Sequence, residues 1–235
     1  MNNGFSLLEV IIALTISLSV LSVVITSVSD SAKNTKKIHE NQEALESMFN
    51  TVDSLKTDLT KCGMRLQEAG KLFKLPVFKN SDIGFEALMG IATLYIQSEV
   101  EVDSTYIQLQ KDKYLKKKKA VLIYDTENNC FEFNEIEDIE KGSNYDTISL
   151  AKNTKNRYEK SSVIIILKTV VFKYYMKEQV LKRKTDRGYF QPMIDNVTDF
   201  YLKYFPESKS LLYRIEVGHK EQIRGYIFLL NMVQK

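Results

Sequence analysis

The chain has 235 residues, 33 of them basic and 30 acidic, for a formal net charge of +3. This balance lacks the concentrated basic character of a dedicated nucleic-acid binder, and the length suits one domain of ordinary size plus a long terminal segment. Two histidines and two cysteines offer little for metal binding or for a Ser-His-acid arrangement, and no Gly-rich phosphate loop is present, so the chain reads as no enzyme and as needing no cofactor.

In chain order, the first feature is a Gly4–Phe5 junction followed by about 24 residues, Phe5 to Val28, without Lys, Arg, Asp, Pro or Gly. At ~1.5 Å rise per residue such a helix crosses a ~30 Å hydrocarbon core. Its single ionisable side chain is Glu9. A carboxylate at mid-membrane costs on the order of 2.5–3.5 kcal/mol on insertion scales, so it asks for a partner or for access to the headgroups. One turn separates Glu9 from Phe5, and cleavage after Gly4 would place a new amine there. A secretory signal peptide competes with the membrane span, because Ser27-Val28-Ser29 has the form of a small-residue cleavage site. Lys33, Lys36 and Lys37 follow the span, and the positive-inside tendency alone places that flank in the cytoplasm.

Residues 29–63 continue as one amphipathic helix. Ile38, Leu45, Met48, Val52, Leu55, Leu59 and Cys62 form its apolar stripe, with His39, Glu40, Glu43 and Glu46 among the polar residues opposite. The stripe suits packing on the chain's own domain better than a coiled coil. Gly63 is placed to end the helix.

Residues 64–235 are expected to be strand-rich. Irregular chain precedes a helical patch at Phe85–Ile91, and strands are expected at Leu94–Glu101, Ala120–Tyr124, Cys130–Phe133 and Thr147–Leu150. Val163–Tyr175 is expected to be one long strand or two joined tightly, followed by Val180–Lys184, Val197–Tyr204, Leu211–Val217 and Gln222–Met232. The fold class is α+β, a long N-terminal helix on an antiparallel strand-rich domain. Cys62 and Cys130 could form one disulfide if the domain is extracytoplasmic, or stay as two thiols. The lysine-rich segment Lys111–Lys119 reads as a solvated loop, and Asp125, Glu127, Asn128 and Asn129 lack the spacing of a calcium loop.

Gly4-Phe5-Ser6-Leu7-Leu8-Glu9-Val10 resembles the processing site of type IV prepilins and type II secretion pseudopilins. That resemblance implies cleavage between Gly4 and Phe5 by a prepilin peptidase, N-methylation of Phe5 by the same enzyme, and use of Glu9 in aligning subunits. The four-residue leader departs from the family in having no Lys or Arg. Further along, the chain is similar to minor pilins of the PilW and GspJ type. Asp58-Leu59-Thr60-Lys61-Cys62-Gly63 matches their helix-closing element, with Cys62 where Ala is usual. Asn196–Tyr204 and Tyr213–Val217 resemble their late strands, and Tyr226–Asn231 their closing segment, with Leu230 where Arg is usual. The resemblance implies a pilin-like fold held in the cytoplasmic membrane by a single span, with an extracytoplasmic C-terminal domain. The implied partners are membrane lipid before assembly, other minor and major pilins or pseudopilins, and an inner-membrane assembly platform. A membrane-tethered adhesion or ligand-binding module is the reading from another class.

Overall fold

The computed structural model describes residues 7–73, 75, 77–81, 83–218 and 221–231, without side-chain detail at Glu221. The chain divides into two compact units between Ser47 and Met48. Helix α1 runs from Leu7 to Thr60.

In the first unit α1 stands as a helix whose apolar residues are all exposed, from Leu7 through Val28. It is long and apolar enough to cross a membrane by length and composition. Three of its hydroxyls bond back to the preceding turn, with Thr15 donating to the Ile11 carbonyl at 2.7 Å, Ser19 to Thr15 at 2.8 Å and Thr26 to Ser22 at 2.9 Å. Such bonds to the preceding turn let Ser and Thr sit in an apolar helix without exposing an unpaired donor. Beyond Val28 the surface turns polar, with pairs at helical spacing between Asp30 and Lys33, Lys36 and Glu40, and His39 and Glu43.

In the second unit the last turns of α1 bury Met48, Thr51, Val52, Leu55, Asp58 and Leu59. The expected stripe is therefore buried from Met48 onward, whereas Ile38 is exposed. A short helix, α2, follows at Gln67–Phe73.

Among the described residues twelve strands form two antiparallel sheets. Strands β1 (Phe78–Ser81), β2 (Gly84–Tyr95), β3 (Tyr106–Gln110), β4 (Ala120–Asp125), β5 (Cys130–Lys141), β6 (Tyr145–Leu150), β7 (Val163–Tyr175), β8 (Val180–Thr185) and β9 (Gln191–Ile194) make the larger one. Its path runs β1-β2-β7-β4-β5-β6-β3, with β8 and β9 joined to β7. The smaller sheet is β10 (Val197–Phe205), β11 (Ser210–Val217) and β12 (Glu221–Phe228), in that order.

Val163–Tyr175 is one strand and the spine of the larger sheet. β2 pairs along one side of it, while β4 takes Val163–Ile166 and β8 takes Val170–Tyr175 on the other. β4 from Val121 to Tyr124 and the first part of β7, Val163–Leu167, are apolar on both faces, which is how a centrally buried strand reads. Leu122, Tyr124, Ile165 and Leu167 pack with Leu66 and Ala69 on one face. Val121, Ile123, Ile164 and Ile166 pack with Ile107, Ile136, Ile148 and Tyr158 on the other. β5 changes partners from β4 to β6 across a register shift between Ile136 and Asp138.

Several expectations require correction. Phe85–Ile91 is not helical but lies within β2, where Phe85, Ala87 and Met89 are buried at a spacing of two and the strand is paired with β7. The strand expected at Leu94–Glu101 ends at Tyr95, and past it only the isolated bridges Ile96–Leu109 and Val100–Tyr158 remain. The last strand stops at Phe228.

Candidate functional site

Two places in the chain carry the features that the sequence singled out. The first is the start of α1. Gly4 and Phe5 lie outside the described residues, while Glu9 is the acidic residue of the helix's first turn, where a carboxylate favours the positive end of the helix dipole. Around it Leu7, Leu8, Val10, Ile11 and Ile12 are exposed, so an apolar surface surrounds one acid.

The second is the close of α1. Asp58, almost wholly buried, accepts from Arg183 Nε on β8 at 2.7 Å, and the Arg183 guanidinium lies 5.9 Å from the Phe172 ring centre. Two turns earlier Thr51 donates to the Met193 carbonyl at 3.2 Å. These bonds hold the last turns of α1 against β8 and β9.

After Thr60 the chain turns through Gly63, whose φ of 73° is left-handed, a conformation that suits glycine at a helix end. Gly63 N donates to the Leu88 carbonyl at 2.9 Å, coupling the turn to β2. The Asn231 side chain donates to the Thr60 carbonyl at 2.8 Å and accepts from Gln67 Nε2 at 3.0 Å. A Cβ on residue 63 would stand 2.5 Å from the Asn231 carbonyl oxygen. The two segments Asp58–Gly63 and Tyr226–Asn231, remote in sequence, thus meet, and the glycine is required both by its dihedral and by the backbone lying against it.

Cys62 is fully buried beside this turn, and its thiol donates to the Val77 carbonyl at 3.2 Å. Burial pushes the thiol up to about 12, against a smaller opposing effect of its Leu88 backbone bond. Cys130 sits half-buried at the start of β5, packed beside a different core cluster. Both are free thiols in this structure. Burial raises Cys130 as well, with Asp125 and Glu132 adding to the effect.

Asp125 organises a turn. It accepts from the Ser162 hydroxyl at 2.6 Å and from the amides of Glu127 at 2.8 Å, Asn128 at 3.0 Å and Glu159 at 3.5 Å. Burial by itself would raise its carboxyl, but these hydrogen bonds, Ser162 first, hold it below the ordinary value. With the Asn128 side-chain amide at 3.3 Å as well, a carboxylate already filled by five hydrogen bonds is a structural group. Among the described residues no cluster of His, Cys, Asp and Glu has the arrangement of a metal site. Of the two histidines, His39 is exposed beside Glu43, and His219 lies outside the described residues. Sequence reasoning missed Asn231 as the cap of α1 and Arg183 as the partner of Asp58; an Asn at the end of the closing segment was the one available hint.

The fold defines an α+β protein with, among the described residues, one helix long and apolar enough to be a membrane span. No family model matches the chain, and no curated protein does. Among solved structures, a phage phi92 endosialidase is similar at 10% identity with a TM-score of 0.22. The match covers 58% of this chain and 30% of that one, and it is too slight to define a shared fold.

Proposed function

We propose that the chain is a minor pilin or pseudopilin, a structural subunit that initiates or caps a type IV pilus or a type II secretion pseudopilus. What carries the reading is one observation, a lone acid set at a fixed distance behind a Gly–Phe junction in an otherwise apolar helix. Each part has a physical use. The exposed apolar surface of α1 is stable in lipid and equally stable against a bundle of similar helices, so a subunit can move from one to the other with little change in apolar burial. The acid then supplies register. A carboxylate in such a bundle gains most where it meets a cation, and the amine released on Phe5 by cleavage after Gly4 is the cation that every subunit would carry.

In this account prepilin peptidase cuts and methylates the N-terminus, the extracytoplasmic domain folds on the far side of the inner membrane, and an assembly platform draws the subunit into the filament. Further support comes from the buried close of α1, where Asp58–Gly63 and Tyr226–Asn231 correspond in sequence to elements of PilW- and GspJ-type subunits.

The test is Glu9→Ala, assayed for membrane insertion, N-terminal processing and copurification with the other subunits. Insertion and processing are expected to persist while copurification falls at least tenfold, the scale of ~1.4 kcal/mol or more for a desolvated charge pair. Undiminished copurification would remove Glu9 from this role.

A further inference from the structure

The smaller sheet ends in a strand that is built to be extended. Among the described residues β12 pairs with β11 alone, through an unbroken register from Ser210–Phe228 to Val217–Glu221. Natural edges are usually blunted by bulges, prolines or several charges. β12 has no proline, no register shift and, between Gln222 and Phe228, one charged residue, Arg224.

The direction of its backbone groups follows from one bond. Leu229 N donates to the Lys209 carbonyl at 2.7 Å, which puts the hydrogen-bonded pairs with β11 at Ile227, Gly225 and Ile223. The amides and carbonyls of Gln222, Arg224, Tyr226 and Phe228 therefore point away from β11. The side chains of these same four residues are exposed, Tyr226 at 61% and Phe228 at 58%.

We infer that this edge pairs with the same edge of a second copy of the chain, antiparallel about an axis through Gly225. Such pairing must match outward-pointing residues with one another, which restricts the registers to steps of two. Centring on Gly225 sets Arg224 opposite Tyr226 and Gln222 opposite Phe228, and uses all four outward residues on each side. Moving one step in one direction sets Arg224 opposite Arg224, a like-charge pair that opposes association. One step in the other direction pairs Tyr226 with itself and leaves Gln222 without an opposite. The Gly225 register is the one with full overlap and matched chemistry.

Charge supports the same occupant. Arg224 lies opposite Arg214 of β11, and Arg214 is already engaged by Asp199 and by the Tyr201 ring at 5.6 Å. Arg224 makes no ion pair among the described residues, so the Tyr226 ring of a second copy offers it a cation–π contact. On the inner face the half-buried Ile223 meets Ile227 of the copy. The result is a continuous six-stranded sheet from two three-stranded ones. This inference does not depend on the reading of the chain as a pilin.

The test uses the full chain in detergent micelles, with Cys130→Ser to remove the half-exposed thiol. In the Arg224→Cys/Tyr226→Cys double variant, facing Cα atoms of two copies would be ~5.5 Å apart, within disulfide reach. Either single variant places its cysteines diagonally at about 7–8 Å or more, beyond that reach. Mild oxidation is expected to give covalent dimer from the double variant and little from the singles. Adding Phe228→Pro removes an outward donor without touching the β11 ladder and should reduce that dimer several-fold. Equal cross-linking by single and double variants would overturn the register, and absence of dimer from the double variant would overturn the pairing. Should Phe228→Pro fail to fold, the comparison of single and double variants still decides.

Discussion

Replacing Gly63 by Ala isolates the contact that closes α1. Two costs add. An L-residue at φ 73° pays about 1–2 kcal/mol for its Cβ in the left-handed region. That Cβ would also lie 2.5 Å from the Asn231 carbonyl oxygen, so the closing segment must move. Moving it weakens the bond from Asn231 to the Thr60 carbonyl, a further ~0.5–1.5 kcal/mol. The sum is about 1.5–3.5 kcal/mol, roughly a 3–14 °C fall in melting temperature for a domain of this size. Gly218→Ala is the matched control, because its φ of 62° is also left-handed but no atom lies within 4 Å of an added Cβ. That variant should lose only the dihedral cost, about 1–2 kcal/mol. Urea unfolding followed by tyrosine fluorescence suits a chain with 13 tyrosines and no tryptophan. Equal losses in the two variants, or a Gly63→Ala chain as stable as the parent, would refute the steric argument.

Other outcomes follow from the same geometry. Asp58→Ala leaves Arg183 facing a buried site without its partner and should cost about 2–4 kcal/mol in urea unfolding, while the double variant with Arg183→Met should recover part of that loss. Asp125 is held below its ordinary value, so its stabilising contribution is present above the unfolded pKa of ~3.9 and is lost as pH falls through the lower folded value; Asp125→Asn should flatten the acid limb of the stability curve and lower stability at neutral pH. Glu132 has the opposite sign. Burial raises it against the Lys155 amide, and one of its oxygens has no hydrogen-bond partner among the described residues, so its contribution declines as pH rises above ~4.3. Glu132→Gln should therefore gain stability at pH 7 relative to pH 4. Maleimide should label native Cys130 and spare Cys62, with both labelled in denaturant; protection of both from alkylation but not from reductant would indicate a disulfide.

How much of this was legible in the sequence depended on how many faces an element buries. β4 and β7 were readable because residues such as Val121–Tyr124 and Val163–Leu167 are apolar without interruption, as strands covered on both faces must be. β2 was misread because Phe85, Leu88 and Met89 also satisfy helical spacing, and pairing with β7 decides between the two periods. β1, β3 and β9 escaped notice because their outward residues are polar and their length is only four or five residues. α2 is too short to show a period. The start of the candidate site was legible because its motif is local, from Gly4 to Val10. The second place, at the close of α1, was not, since Asp58 meets Arg183, and Gly63 meets Asn231, through contacts that only the tertiary fold creates.

The proposed role turns on the mature N-terminus. Mass spectrometry of the chain purified from membranes of cells that carry a prepilin peptidase reads it directly. The account predicts a first residue of N-methylated Phe5, with residues Met1–Gly4 removed. An intact Met1, or a chain beginning after Ser29, would contradict it.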